Sequence, residues 1–256
     1  YGERPWNGEL DSETGMNRNL RAVEQQFLRV LERILAAPDG VAAAFIAMLT
    51  SLQQTLQIPV RIVYVYGNHD RAFSVFESLR QRLRAVVPGI EFASAYRNTE
   101  YALLARHGHQ WDQQTYAKEL WEQILHPDEA IDRFDERLSK VIAIGDVVTA
   151  ELMSGFIYNC RAEFRRRGFT SEQDKRLLSE ILDVNNVRPI TDAFLWLRWF
   201  TRNQEEKYGE PIAKAFLDAL NNVLNSSFAR AWDNLRGVDL TDILEFAKLG
   251  VKIGSL

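Results

Sequence analysis

At 256 residues the chain is long enough for one large domain or two smaller ones around a substantial core. Its formal net charge of -4, with acidic and basic residues interspersed, excludes a broad basic face, so no nonspecific nucleic-acid binding is expected. No apolar run approaches the roughly 18 residues of a membrane span, and the lone cysteine, Cys160, excludes an internal disulfide or a thiolate cluster; a reduced, cytoplasmic setting without a transmembrane segment is expected.

The opening stretch YGERPWNGEL starts at Tyr1 and has neither the cationic start nor the apolar core of a signal peptide, so the chain is expected to begin inside a longer protein. Leu20, Val23, Phe27, Leu31 and Ile34 recur at steps of three and four, which predicts a helix ended by Pro38, Asp39 and Gly40. A second helix is expected over about Val41 to Leu56. After Pro59, the β-branched and aromatic run from Val60 to Tyr66 favours a strand. Phe73, Phe76, Leu79 and Leu83 then mark one amphipathic helix that stops near Pro88 and Gly89. The stretches IEFASAY and YALLAR read as two strands joined by a turn at Arg97, Asn98 and Thr99, giving a β-α-β-β order before His107.

From about Glu119 helical periodicities dominate, punctuated by HPDEA, RRRGFTSEQ, NNVRPITD and KYGEP. The segment from Thr170 to Gln173 carries a capping-box pattern, and Thr191 and Asp192 precede AFLWLRWF. FLWLRWF, apolar nearly all round, is expected to be a buried helix. Arg165 to Arg167 read as a solvated helix end, and Asp146 as the cap of the helix VVTAELMSGF. His126 is given no role.

Two short segments concentrate the chemistry. At the exit of the first strand, Gly67 allows a sharp turn and GNHD presents an amide oxygen (Asn68), an imidazole (His69) and a carboxylate able to orient it (Asp70). RHGHQWD repeats the pattern after another strand with His107, His109 and Asp112. Three of the four histidines fall in these segments, and mixed nitrogen and oxygen donors suit Mn, Fe, Zn or Ni.

YVYGNHDR resembles the Gly-Asn-His-Asp motif of the calcineurin-like metallophosphoesterases, and LLARHGHQWD resembles the next histidine motif of that family, closest to the branch containing UDP-2,3-diacylglucosamine pyrophosphatases. The resemblance covers about residues 58–116. It implies an α/β fold, here a partial αββα sandwich over residues 1–118 with a large all-helical insertion or cap over 119–256. It further implies a binuclear centre of two divalent ions, Asn68 and His107 among its ligands, with none or one ion held by this segment alone. His69 would face the phosphoryl group, Asp70 would orient His69, and His109 and Asp112 would stand one step behind the ligands. The substrate would be a phosphorylated small molecule or nucleotide-type phosphate ester or pyrophosphate.

The family's Asp-x-His and Gly-Asp-x-x-Asp motifs are absent ahead of GNHD, and Gly-His-x-His is absent after HGH. Ile144 to Thr149 (IGDVVT) carries Thr in place of the second Asp and follows GNHD. The expectation is therefore a piece truncated at both ends. The alternative is a catalytically silent relative whose helical half is an interaction module.

Overall fold

The computed structural model describes residues 20–57, 60–112, 114–187 and 192–236. Contacts divide these into two units, residues 20–143 and residues 144–236. Among the described residues the chain is mainly helical, with two small two-stranded sheets, both in the first unit.

Helix α1 (Leu20–Ala36) forms where the apolar stripe recurs, and buries Val23 and Leu31. Gly40 then lets α2 (Val41–Leu56) start close to the end of α1: a β-carbon there would sit 3.0 Å from that of Ala37. The expected strand shortens to β1 (Val63–Val65), because only three residues find a partner, in parallel with β2 (Glu91–Ala93). Arg61 clamps Glu91 through two 2.7 Å hydrogen bonds at the mouth of that ladder.

The single helix expected after GNHD is two, α3 (Ala72–Val75) and α4 (Glu77–Arg84). Phe76 between them is extended (φ -107°, ψ 114°) and buried, its ring 6.3 Å from that of Phe27 on α1. No glycine or proline marks the break; burying an aromatic ring against another helix overrides local propensity. Arg82 reaches Glu32 at 2.5 Å, and Ser78 donates to Glu24, fixing α4 on α1. Phe73 of α3 packs against Tyr64 and Phe92, with ring centroids 5.3 and 5.6 Å away, so β1, β2 and α3 share one aromatic cluster.

IEFASAY is likewise two strands. β2 ends at Ala93, and β3 (Tyr96–Asn98) pairs antiparallel with β4 (Leu103–Ala105). The hairpin turn lies two residues beyond the expected place. Asn98 is still in the ladder, but its side-chain oxygen accepts from the Tyr101 backbone N–H at 3.1 Å, and Ala102 takes a positive φ of 48°. A one-turn 3-10 segment at His109–Trp111 follows. α5 (Lys118–Leu120) widens into a π-turn at Trp121–Leu125, and a second 3-10 segment spans Glu136–Lys140.

The second unit opens with α6 (Ile144–Val147), which widens at Val148–Met153 and continues as α7 (Ser154–Arg166). Asp146 lies in the first turn of α6 rather than ahead of the helix, where its charge complements the helix dipole. α8 (Glu172–Ile181) is capped one residue later than the sequence pattern suggests: Ser171 accepts from the Asp174 N–H at 3.2 Å, and Asp174 accepts from the Ser171 N–H at 2.7 Å. α9 (Ala193–Arg202) is not buried all round. Ala193, Leu197 and Phe200 face inward, while Leu195 and Trp199 are exposed. Asp192 makes no side-chain cap there, and Thr191 lies outside the described residues.

α10 (Glu206–Leu224) carries Pro211 inside its second turn, so KYGEP belongs to a helix rather than a break. Its buried face, including Tyr208, Ile212, Phe216 and Leu220, packs on α7 around Phe156, Cys160 and Phe164. Arg166 pairs with Glu163 at 2.6 Å and Arg167 with Glu210, so these arginines join an ion-pair network as well as ending α7. α11 (Ser227–Arg236) closes the described chain. The stretch Glu136–Arg166 is long and apolar enough by composition to cross a membrane, and 56% of its apolar window is buried inside the protein, as in a core helix.

Candidate functional site

The turn after β1 is built on Asp70. Its Oδ1 accepts from the Gly67 backbone N–H at 2.6 Å, and its Oδ2 accepts from the Tyr64 hydroxyl. The carboxylate thus ties the GNHD turn back to the strand that precedes it, and neither bond comes from His69. Burial, reinforced by the Asp70 contact, pushes the Tyr64 phenol well above its ordinary pKa, so it stays a donor. Asn68 is half-buried and His69 exposed. The Arg71 guanidinium donates to the Val141 carbonyl, and Ser74 Oγ donates to the Arg71 carbonyl at 2.7 Å, holding the start of α3.

The turn after β4 comes to meet this one. The His107 ring lies against Gly67: a β-carbon at residue 67 would be 2.4 Å from His107 Cδ2 and 2.6 Å from Nε2. Gly67 thus leaves the space that the His107 ring fills, and a β-carbon there would have to displace the ring or the turn. Gly108, with φ of 93° and open space where a β-carbon would go, is required by backbone conformation instead. His107 is exposed and His109 buried, their ring centroids 5.2 Å apart. The edge-on Tyr116 ring packs on His109 at 5.4 Å.

Burial holds His109 down to a pKa of about 4, helped by its electrostatic coupling to His107 and Arg71 and opposed by Asp70. It is a neutral imidazole at physiological pH. Its Nδ1 is buried without a hydrogen-bond partner, as is Oε1 of Gln110. Both residues line a cavity of about 10 Å³ with Tyr66, Ser94 and Ser139, a volume close to that of one water and far below that of a substrate.

Asp112 serves the turn that follows it. Its Oδ1 accepts from the Gln114 N–H at 2.9 Å and its Oδ2 from Thr115 Oγ1 at 3.1 Å, closing the following turn. Arg133 Nη1 donates to the Gln110 carbonyl at 2.9 Å while Tyr116 donates to the Arg133 carbonyl at 2.5 Å. These two bonds brace the HGH turn from behind.

Among the described residues, no three His, Cys, Asp or Glu side chains gather closely enough to hold a metal ion. The two turns meet where the His107 ring lies on Gly67, the residue before Asn68. Asp70, the one carboxylate of the GNHD turn, is committed to Tyr64 and Gly67. No protein-family model, curated protein or solved structure matches the chain.

Sequence reasoning missed Tyr64, Arg71 and Tyr116. Only Tyr64 left a signal: it faces away from its neighbours Val63 and Val65 in a strand, and a polar tip on that face needs a partner near the strand exit.

Proposed function

We propose that the GNHD and HGH turns form part of the centre of a metal-dependent phosphoesterase, within a portion of an αββα sandwich that carries a helical cap. The single observation that supports this reading is the seating of the His107 ring on Gly67, which joins two turns forty residues apart in sequence and leaves an imidazole one residue from Asn68. Asn68 would offer its side-chain oxygen and His107 a ring nitrogen to one ion, with the remaining ligands supplied from outside the described residues. Two divalent ions at such a centre would supply a hydroxide nucleophile and neutralise charge on phosphorus.

The chain's own residues would do the rest. His69, exposed at the tip of the turn, would protonate the leaving oxygen or hydrogen-bond a phosphoryl oxygen. Asp70 would keep the turn in shape through Gly67 and Tyr64. His109, held neutral and buried, would support His107 from beneath.

The test is hydrolysis of a chromogenic phosphodiester by the full-length protein with Mn, comparing wild type with Asn68→Ala and His69→Ala. Loss of turnover in both variants is expected; equal hydrolysis by all three ends the proposal. The shortage of ligands among the described residues favours a second reading, a silent relative that acts as a helical interaction module. Two equivalents of tightly held transition metal in the full-length protein would contradict that reading.

A further inference from the structure

Helix α2 buries none of its residues. Its exposed apolar side chains, Val41, Phe45, Met48, Leu52 and Leu56, retain 40% to 88% of their accessible surface. The first four are spaced four, three and four apart, the interval of a coiled-coil seam, so they line one stripe. The opposite face, with Ala43, Thr50 and Gln54, is small or polar.

We propose that this stripe is a self-association surface, on which two copies of the chain pair through antiparallel α2 helices about a two-fold axis near Met48 and Leu49. The proposal is independent of the phosphoesterase reading. Three features of α2 select a second copy as the occupant. First, the stripe is symmetric about the helix midpoint: Val41 and Leu56 are equidistant from it, as are Phe45 and Leu52. An isologous antiparallel pair needs that property, since Phe45 of one copy must meet Leu52 of the other. Second, α2 contains no Asp, Glu, Lys or Arg, so a two-fold pairing sets no like charges against each other.

Third, the exposed stripe offers roughly 500 Å² per copy, close to the roughly 1,000 Å² total that a specific interface needs, so a weak, reversible dimer is expected. A membrane surface is the weaker fit. Interfacial helices set a strongly charged face rich in Lys and Arg against their apolar one, and α2 has neither residue.

Sedimentation velocity of the intact chain over a concentration series tests this. A monomer–dimer equilibrium is expected, weakened about tenfold or more by Phe45→Glu or by Leu52→Lys, each alone. Mixing those two variants should restore a heterodimer, because the introduced charges meet across the antiparallel seam. Met48→Cys should cross-link to a dimer under mild oxidation and Gln54→Cys should not; Cys160 is buried and free, and stays silent in both. Circular dichroism checks the fold of each variant, and if the charged variants unfold, the cysteine pair decides. A monomer at every concentration overturns the proposal, as does a dimer indifferent to Phe45→Glu or cross-linking equally at both cysteines. A monomer that sediments with lipid vesicles would assign the stripe to a membrane and overturn it equally.

Discussion

The His107 imidazole is seated on the backbone of Gly67 with no room for a side chain between them: the nearest ring atom is 2.4 Å from where a β-carbon would be. Substituting Gly67→Ala must therefore move either the ring or the turn, and overpacking of that kind costs about 1–3 kcal/mol. Denaturant unfolding should show that loss, and His107→Ala should relieve most of it in the double variant. Gly108→Ala provides the contrast. Its cost, about 1 kcal/mol or somewhat more, comes from a φ of 93° with nothing in the way, so His107→Ala should not relieve it. A Gly67→Ala penalty that survives removal of the His107 ring would show that the contact is not what fixes residue 67.

How much of this was legible beforehand depended on whether the determining contact was local. The α1 stripe, the Gly40 turn and the existence of β1, β2 and β4 follow from periodicity and breakers within a few residues of each element, and these were readable. The break at Phe76 was not, because its cause is the Phe27 ring some fifty residues earlier. The hairpin turn was misplaced because Asn98 works as a turn former from inside the ladder, its side-chain oxygen accepting from the Tyr101 N–H beyond the strand. At the site, the clustering of Asn68, His69, His107 and His109 in two strand-exit turns was visible. The partners of Asp70 were not, since a carboxylate beside an imidazole looks from sequence like its orienting group, and only the fold shows Tyr64 taking that oxygen. In α9, uniform hydrophobicity hid the fact that a helix can leave Leu195 and Trp199 outside.

The depressed pKa of His109 makes stability depend on pH in a definite direction. Its folded value of about 4 lies below the ordinary 6.5, so the unfolded chain binds more protons between those values. The stabilising contribution is complete above about pH 6.5 and is lost as pH falls toward 4. At about 1.4 kcal/mol per pKa unit the full loss is on the order of 3–4 kcal/mol. Urea unfolding at pH 7 and at pH 4.5 should record it, and His109→Gln, which cannot titrate, should flatten the difference. An unchanged pH slope in that variant would mean that His109 does not carry the effect.

Glu163 produces a second acid-sensitive window at lower pH. Arg166, at 2.6 Å, and Lys214, at 3.1 Å, hold its carboxyl down to about 2 against the ordinary 4.5. A depressed carboxylate stabilises the fold above pH 4.5, and that contribution disappears as pH falls toward 2. Glu163→Gln should therefore lower stability at pH 7 by about 1–3 kcal/mol and leave it nearly unchanged at pH 2. Because the His109 window lies higher, mild acid should disturb the histidine turns before it disturbs the α7–α10 packing. Hydrogen exchange at pH 5, read at amides around residue 109 and around residue 163, checks that order.

Asp70 offers the sharpest separation between a structural and a catalytic account of the GNHD turn. Its two oxygens accept from Gly67 and Tyr64, so Asp70→Ala leaves a part-buried N–H and a part-buried phenol without partners, at about 1–3 kcal/mol. Tyr64→Phe removes one of those donors and spares the other, and should cost about 1 kcal/mol. Since both substitutions break the same hydrogen bond, their costs in the double variant should fall short of the sum by about 0.5 kcal/mol or more. Strict additivity would show that the hydroxyl and the carboxylate do not depend on each other. If Asp70 acts on chemistry only through the shape of the turn, Tyr64→Phe and Asp70→Ala should lower turnover of an active full-length protein in proportion to their stability costs, with the same pH profile as wild type. A change in that profile on Asp70→Ala that Tyr64→Phe does not share would instead mean that the carboxylate acts directly on His69.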